Sequence, residues 1–130
     1  MNINEYFKDK ELACPCCGAL SVHRDALERL YITRMLIDIP LIINSACRCP
    51  SHNDMVKGSK SSLHIVTDSR QCRAFDIRCY SYQFRHDLVR CLFHAGFTRV
   101  IIHPNFVHAD IEICGGAIMI ADPEDPGHLV

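Results

Sequence analysis

Arg73-Ala74-Phe75-Asp76-Ile77 and Phe106-Val107-His108-Ala109-Asp110 are two short runs of alternating character, and their reading decides the fold. In the first, Ala74 and Asp76 face one way while Phe75 and Ile77 face the other. In the second, Phe106, His108 and Asp110 alternate with Val107, Ala109 and Ile111. Two neighbouring strands of this kind hold Asp76 and His108 on one face of a sheet. Ser62-Leu63-His64, upstream of both, supplies a second imidazole. Two imidazoles and one carboxylate leave a tetrahedral zinc one position for water, the donor set of a catalytic rather than a structural site. His64, Asp76 and His108 are therefore the candidate metal ligands. The plainer reading of the same residues is two ordinary polar histidines and a carboxylate that caps or forms a salt bridge.

Outward from these runs, residues 98–102 read as a strand, Pro104-Asn105 as a turn and residues 106–113 as the return strand. Residues 41–45 form a short β-rich run leading to Arg48. Gly115-Gly116 allows another tight turn, with a last strand over 117–121. Residues 21–38 are expected to form the first long helix, burying Leu27, Leu30, Tyr31 and Met35, with Asp25 and Glu28 as a capping box if it begins late and Pro40 as its end. Residues 81–95 are the second, burying Phe84, Leu88, Val89, Leu92 and Phe93 and stopped by Gly96. His86 and His94 on it read as surface or capping residues. A short helix over 52–58 and a polar loop over 59–62 then deliver His64. Two long helices against four or five short, mostly antiparallel strands give an α+β domain.

The chain of 130 residues, 48% of them hydrophobic and without repeats, is long enough for one domain over 1–130 with a real core. Residues 1–20 read as an irregular arm with Tyr6, Phe7 and Leu12 available to pack, and 122–130 as a flexible tail. A net charge of −1 offers no footprint for nucleic acid or anionic lipid. No apolar stretch approaches a membrane span. The N-terminus lacks a basic region followed by an apolar run, so the expectation is a product made in the cytoplasm without a signal peptide.

Nine cysteines cannot all pair within one chain, and without an export signal free thiols are the default. They cluster in Cys14-Pro15-Cys16-Cys17-Gly18 and Cys47-Arg48-Cys49. One reading gives Cys14, Cys17, Cys47 and Cys49 to a second, structural zinc. The first pair has the separation typical of zinc knuckles, and the second pair is one residue too close. Buried free thiols, or a disulfide between the clusters in an oxidising space, are the other readings. If the cysteines matter most, the chain is a small zinc-stabilised interaction domain and His64 and His108 are ordinary polar residues.

The ligand runs also carry a resemblance. Ser62-x-His64, Ala74-x-Asp76-Ile77 and Phe106-Val107-His108-Ala109-Asp110 resemble the SxHxxGxAxD and FVHVD segments of the zinc D-alanyl-D-alanine carboxypeptidases and related phage endolysin L-alanyl-D-glutamate peptidases. Upstream, residues 44–53, Asn-Ser-Ala-Cys-Arg-Cys-Pro-Ser-His-Asn, are similar to that family's SGYRCPxHN segment. The resemblance covers roughly residues 20–113 and implies the fold shared with lysostaphin-type enzymes and the hedgehog signalling domain. It further implies one catalytic Zn2+, with Arg48 and Ser62 as substrate-binding residues and peptidoglycan stem or cross-bridge peptides as substrate. A phage lysis enzyme released onto the cell wall, or a virion component, suits that reading.

Two departures qualify it. Asp76 lies twelve residues after His64, farther than in the motif, so residues 67–73 look like a polar insertion in place of the usual Gly. Many relatives also place Glu or Asp three residues before the last His as general base, and here that residue is Asn105. An amide cannot take a proton from water. His103 is the leading substitute, because an imidazole transfers protons near neutral pH. Asp110 is the second, with orientation of a ligand histidine as its other reading. An inactive zinc-containing binding module of the same fold is the alternative to an enzyme.

Overall fold

A computed structural model describes residues 6–112 and, for the backbone alone, residues 117–120. Its elements run α1 (Asp9–Leu12), α2 (Arg24–Ile37), β1 (Ile43–Ser45), α3 (Pro50–Met55), β2 (Ala74–Arg78), α4 (Tyr82–Ala95), β3 (Arg99–Ile102), β4 (Phe106–Asp110) and β5 (Ala117–Ile120). The expected turn at Gly115-Gly116 and the tail over 122–130 lie outside the described residues.

The strands form one sheet in the order β1-β2-β4-β3-β5, antiparallel throughout except that β5 runs parallel to β3. This is the expected α+β architecture. Directly opposed residues of an antiparallel pair share a face. The register sets Asp76 against His108 and Ile101 against His108, so both candidate ligands stand on one face with Ala74, Phe106, Asp110, Arg99 and Ile101. The other face carries Phe75, Ile77, Val100, Val107 and Ala109, all fully buried with Leu30 of α2 and Leu88 and Leu92 of α4.

Each long helix has a physical start and stop. The Ser81 side chain accepts the Phe84 N–H ahead of α4, and Gly96 ends it at φ +103°, a conformation that favours glycine. At α2 the expected capping box is replaced by His23, whose ring accepts the Asp25 N–H. Asp38 in the left-handed region ends α2 before Pro40. Leu30 and Tyr31 are buried and Leu27 half-buried, but Met35 is exposed, as is Leu36 beside it. His86 and His94 lie exposed on α4.

The described part of the N-terminal arm is not wholly irregular, since Asp9–Leu12 forms α1. Phe7 and Leu12 enter the core, Tyr6 and Phe7 contact the Tyr31 ring, and the Leu12 carbonyl accepts the Cys47 N–H. Among the described residues no helix is long and apolar enough to cross a membrane.

Candidate metal centre

His64, Asp76 and His108 come together in the folded chain, each offering a ligand atom within 4.8 Å of the others, and all three are buried. The insertion between the first two is taken up locally. Thr67 and Arg70 exchange backbone hydrogen bonds across a tight turn, while the Leu63 carbonyl accepts from Arg73 N–H and Arg48 pairs with Ile65. The polar residues 67–69 project outward, and His64 returns to the register that the strands require.

Both imidazoles are oriented from behind. His64 Nδ1 lies 2.7 Å from the Ala46 carbonyl oxygen, so that nitrogen carries the proton and donates it. Burial lowers the His64 pKa and keeps the ring neutral. Its Nε2 then presents a lone pair to Asp76 Oδ1 at 3.2 Å, an acceptor facing an acceptor. A cation between them resolves that contact, which is the test a metal site should pass. His108 Nδ1 stands 2.9 Å from the same Oδ1, and its Nε2 stands 2.6 Å from Asp110 Oδ2. Burial disfavours the charged ring, but Asp110 and Asp76, one on each nitrogen, outweigh it and raise the His108 pKa. Burial alone would raise Asp76 too, yet the two imidazoles hold its carboxyl well below the usual range.

Arg48 is fully buried, not a surface residue. Its Nη2 donates to Asp76 Oδ2 at 2.9 Å, Nε to Ser45 Oγ at 2.9 Å and Nη1 to Asn53 Oδ1 at 3.3 Å. The guanidinium thus holds the carboxylate oxygen that does not face the histidines. Gly58 makes room for this arrangement: a Cβ there would lie 2.2 Å from Asn53 Oδ1. Ser62 is buried, and its Oγ accepts the His64 N–H at 3.2 Å, which braces the ligand loop.

Asn44, Ser45, Arg48, His52, Val56, Asp76 and Phe106 line a cleft of about 230 Å³ beside the ligands. His103 is buried, bonds backbone to backbone with Phe106 and stacks on the Phe106 ring with centroids 4.2 Å apart. Asn105 is exposed and lines a separate cleft with Cys79, Tyr80 and Arg85. Asp110 is occupied behind His108, where Arg99 Nε donates to it at 2.9 Å. Residues that sequence reasoning left without a role are His52, Asn53 and Arg99. The first two were visible as the end of the 44–53 motif. Arg99 has no local signal and is found only through its cross-strand pairing with Asp110.

The cysteines sort differently from the expected quartet. Cys14, Cys17 and Cys49 converge, whereas Cys47 turns inward as a free thiol, donating to the Ser21 carbonyl and sharing a hydrogen bond with the Cys72 thiol. The chain bends where Cys49 caps α3, which separates Cys49 from Cys47 despite their closeness in sequence.

No curated protein matches the chain. The Peptidase M15 family model matches residues 5–110, a span that contains the whole His64, Asp76 and His108 constellation. The match agrees with the α+β sheet and with a donor set suited to zinc, and on it the chain belongs to the Peptidase M15 family, within the zinc D-Ala-D-Ala carboxypeptidase superfamily.

Proposed function

We propose that this protein is a zinc peptidase acting on peptide bonds of bacterial peptidoglycan, as a carboxypeptidase or endopeptidase of stem or cross-bridge peptides, and that it reaches the wall after release from the cytoplasm or as part of a virion. The observation that carries the reading is the convergence of His64 Nε2, Asp76 Oδ1 and His108 Nδ1 beside a cleft, with the far nitrogen of each ring already engaged. When bound, zinc supplies Lewis acidity, making water acidic enough to attack near neutral pH and drawing charge from the scissile carbonyl.

The chain's own residues do the rest. Arg48 fixes Asp76 and lines the cleft, and with Nε, Nη1 and Nη2 each giving one N–H to Ser45, Asn53 and Asp76, the second N–H of each Nη is what would meet a peptide carboxylate or carbonyl. Ser62 keeps His64 in place. Proton transfer falls to an imidazole, since Asn105 has none to offer and Asp110 is engaged behind His108. His52 lines the cleft itself and His103 stands behind Phe106, so His52 joins His103 as a candidate, with its half-exposed ring better placed to meet water.

An inactive zinc-containing module is favoured by one observation: the residue in the usual base position, Asn105, is an amide and lines a different cleft. Release of new amino groups from purified peptidoglycan, measured beside zinc content, separates the two. Wild type should hold zinc and release amines, and His64→Ala with Asp76→Ala should lose both. Zinc held without any release would establish the binding module. If His52→Gln and His103→Gln each leave the rate and its pH profile unchanged, neither imidazole moves the proton.

A further inference from the structure

The second group of converging ligands lies where the N-terminal arm meets the turn before α3. Cys14, Cys17 and Cys49 place their sulfurs within 4.8 Å of one another. The local backbone has the form of a metal knuckle: Cys14 N–H donates to the Ala19 carbonyl, Gly18 N–H to the Cys14 carbonyl, and Gly18 sits at φ +78°. Backbone N–H groups also aim at the sulfurs. Cys49 N–H points to Cys14 Sγ at 3.4 Å and His52 N–H to Cys49 Sγ at 3.4 Å, while the N–H groups of Cys16 and Cys17 also reach Cys14. Donors arranged in this way stabilise a thiolate, the form that binds metal.

We propose that Cys14, Cys17 and Cys49 hold a second, structural zinc ion that fastens the N-terminal arm to the turn carrying Arg48. Soft thiolates with no carboxylate among them select zinc over magnesium or calcium. Cys16, an exposed free thiol hydrogen-bonded to that of Cys49, stands outside the converged trio and would complete the set by turning toward it. The consequence reaches the first site. Cys49 follows Arg48 directly and caps α3, and α3 carries Asn53, which accepts from Arg48. An ion on Cys49 therefore steadies the guanidinium that holds Asp76.

The inference does not depend on peptidase activity, and its test reads metal rather than turnover. The full chain, purified under reducing conditions, is loaded with zinc and with cobalt(II). Wild type should carry two zinc ions per chain, His64→Ala one and Cys17→Ser one. Cobalt-loaded His64→Ala should keep an intense thiolate-to-cobalt charge-transfer band, and Cys17→Ser should lose it while retaining the weaker spectrum of a nitrogen and oxygen site. Cys17 is exposed, so its substitution spares the core, and the His64→Ala spectrum needs no cysteine change at all. One zinc per chain in wild type that Cys17→Ser retains, or no charge-transfer band in cobalt-loaded His64→Ala, overturns the proposal. So does recovery of Cys14 and Cys49 as a disulfide in metal-loaded protein.

Discussion

Asp110→Asn separates the two roles open to that residue. Asp110 Oδ2 receives His108 Nε2 at 2.6 Å and Arg99 Nε at 2.9 Å, and its side chain is fully buried. An amide that keeps its oxygen toward His108 and Arg99 turns its NH2 group toward the Glu112 N–H, which Asp110 Oδ1 accepts at 3.1 Å, so that bond becomes a donor–donor contact and the two bonds on the other oxygen lose the carboxylate charge. Hydrogen bonds to charged groups contribute about 1.5–3 kcal/mol each. Arg99 is partly solvated and recovers some of its share, which leaves an expected loss of about 2 kcal/mol in stability. Losing the negative charge of the outer partner of a ligating histidine should weaken zinc about 10–100-fold, or about 1.4–2.7 kcal/mol. Competition titration against a chromophoric chelator reads the affinity, and thermal unfolding with and without zinc reads the stability. At zinc concentrations that saturate the variant, turnover should return near the wild-type rate. A general base behaves in the opposite way, with zinc affinity unchanged and kcat down by roughly 10²–10⁴. An unchanged affinity would refute the orienting role.

Three further outcomes follow from the same geometry. Gly58→Ala places a methyl 2.2 Å from Asn53 Oδ1 and 3.1 Å from Arg48 Nη1; it should cost about 2–3 kcal/mol, and much less in an Asn53→Ala background. Strict additivity in that double-mutant cycle, followed by denaturant unfolding, would show the methyl is accommodated. Arg48→Met leaves Asp76 charged and buried, a loss of about 3–5 kcal/mol without metal. The loss should shrink with zinc present, because the cation then shares that carboxylate, and equal shifts in Tm in both states would count against Asp76 as a ligand. Zinc affinity should fall as pH drops. Burial opposes the charged His108 ring, but its two carboxylates raise the pKa, so the metal-free chain holds that proton above the ordinary imidazole range. Metal uptake near neutral pH must then expel it, and the effect is lost once pH exceeds the raised value. Calorimetry in buffers of different ionisation enthalpy measures the release, and heats independent of buffer would mean that His108 was already neutral.

How much of this was legible in the sequence depends on the range of the signal. Strict alternation through Ala74–Arg78 and Phe106–Asp110 located both strands and put Asp76 with His108 on one face, because a period of two leaves no other choice once one side is apolar. Ser81 and Gly96 bounded α4 through local capping chemistry. The misses came where a distant contact decides. Met35 fits the helical stripe by spacing, yet it stands exposed with Leu36 in the last turn, which no local pattern separates from the buried turns before it. Cys47 is as close in sequence to the knuckle partners as Cys49, yet the start of α3 turns the chain between them and Cys72 claims Cys47. Nor does any local pattern announce that the positive charge behind Asp110 is Arg99, thirteen positions before Glu112 and opposite Asp110 only through strand register.

The long separation of His64 from Asp76 is the point on which a motif and a structure give different kinds of answer. Motif spacing assumes that the chain between two ligands is short enough to set their distance. Here that distance is set by other means. Asp76 and His108 are opposed residues of β2 and β4, so hydrogen-bond register places them whatever happens upstream. His64 is fixed by its neighbours on either side: its carbonyl accepts from Arg48 N–H, Leu63 accepts from Arg73, and its ring donates to Ala46. Between these anchors the extra residues need only leave and return, which the Thr67–Arg70 turn does at the surface. Lengthening an exposed loop costs little, growing only with the logarithm of its length. Shortening this loop or adding glycines at residues 68–69 should therefore leave zinc affinity within about threefold, well under 1 kcal/mol, whereas disturbing the Ala46 or Arg48 anchors should not. A tenfold loss of zinc from the loop change alone would show that the insertion itself holds His64 in place.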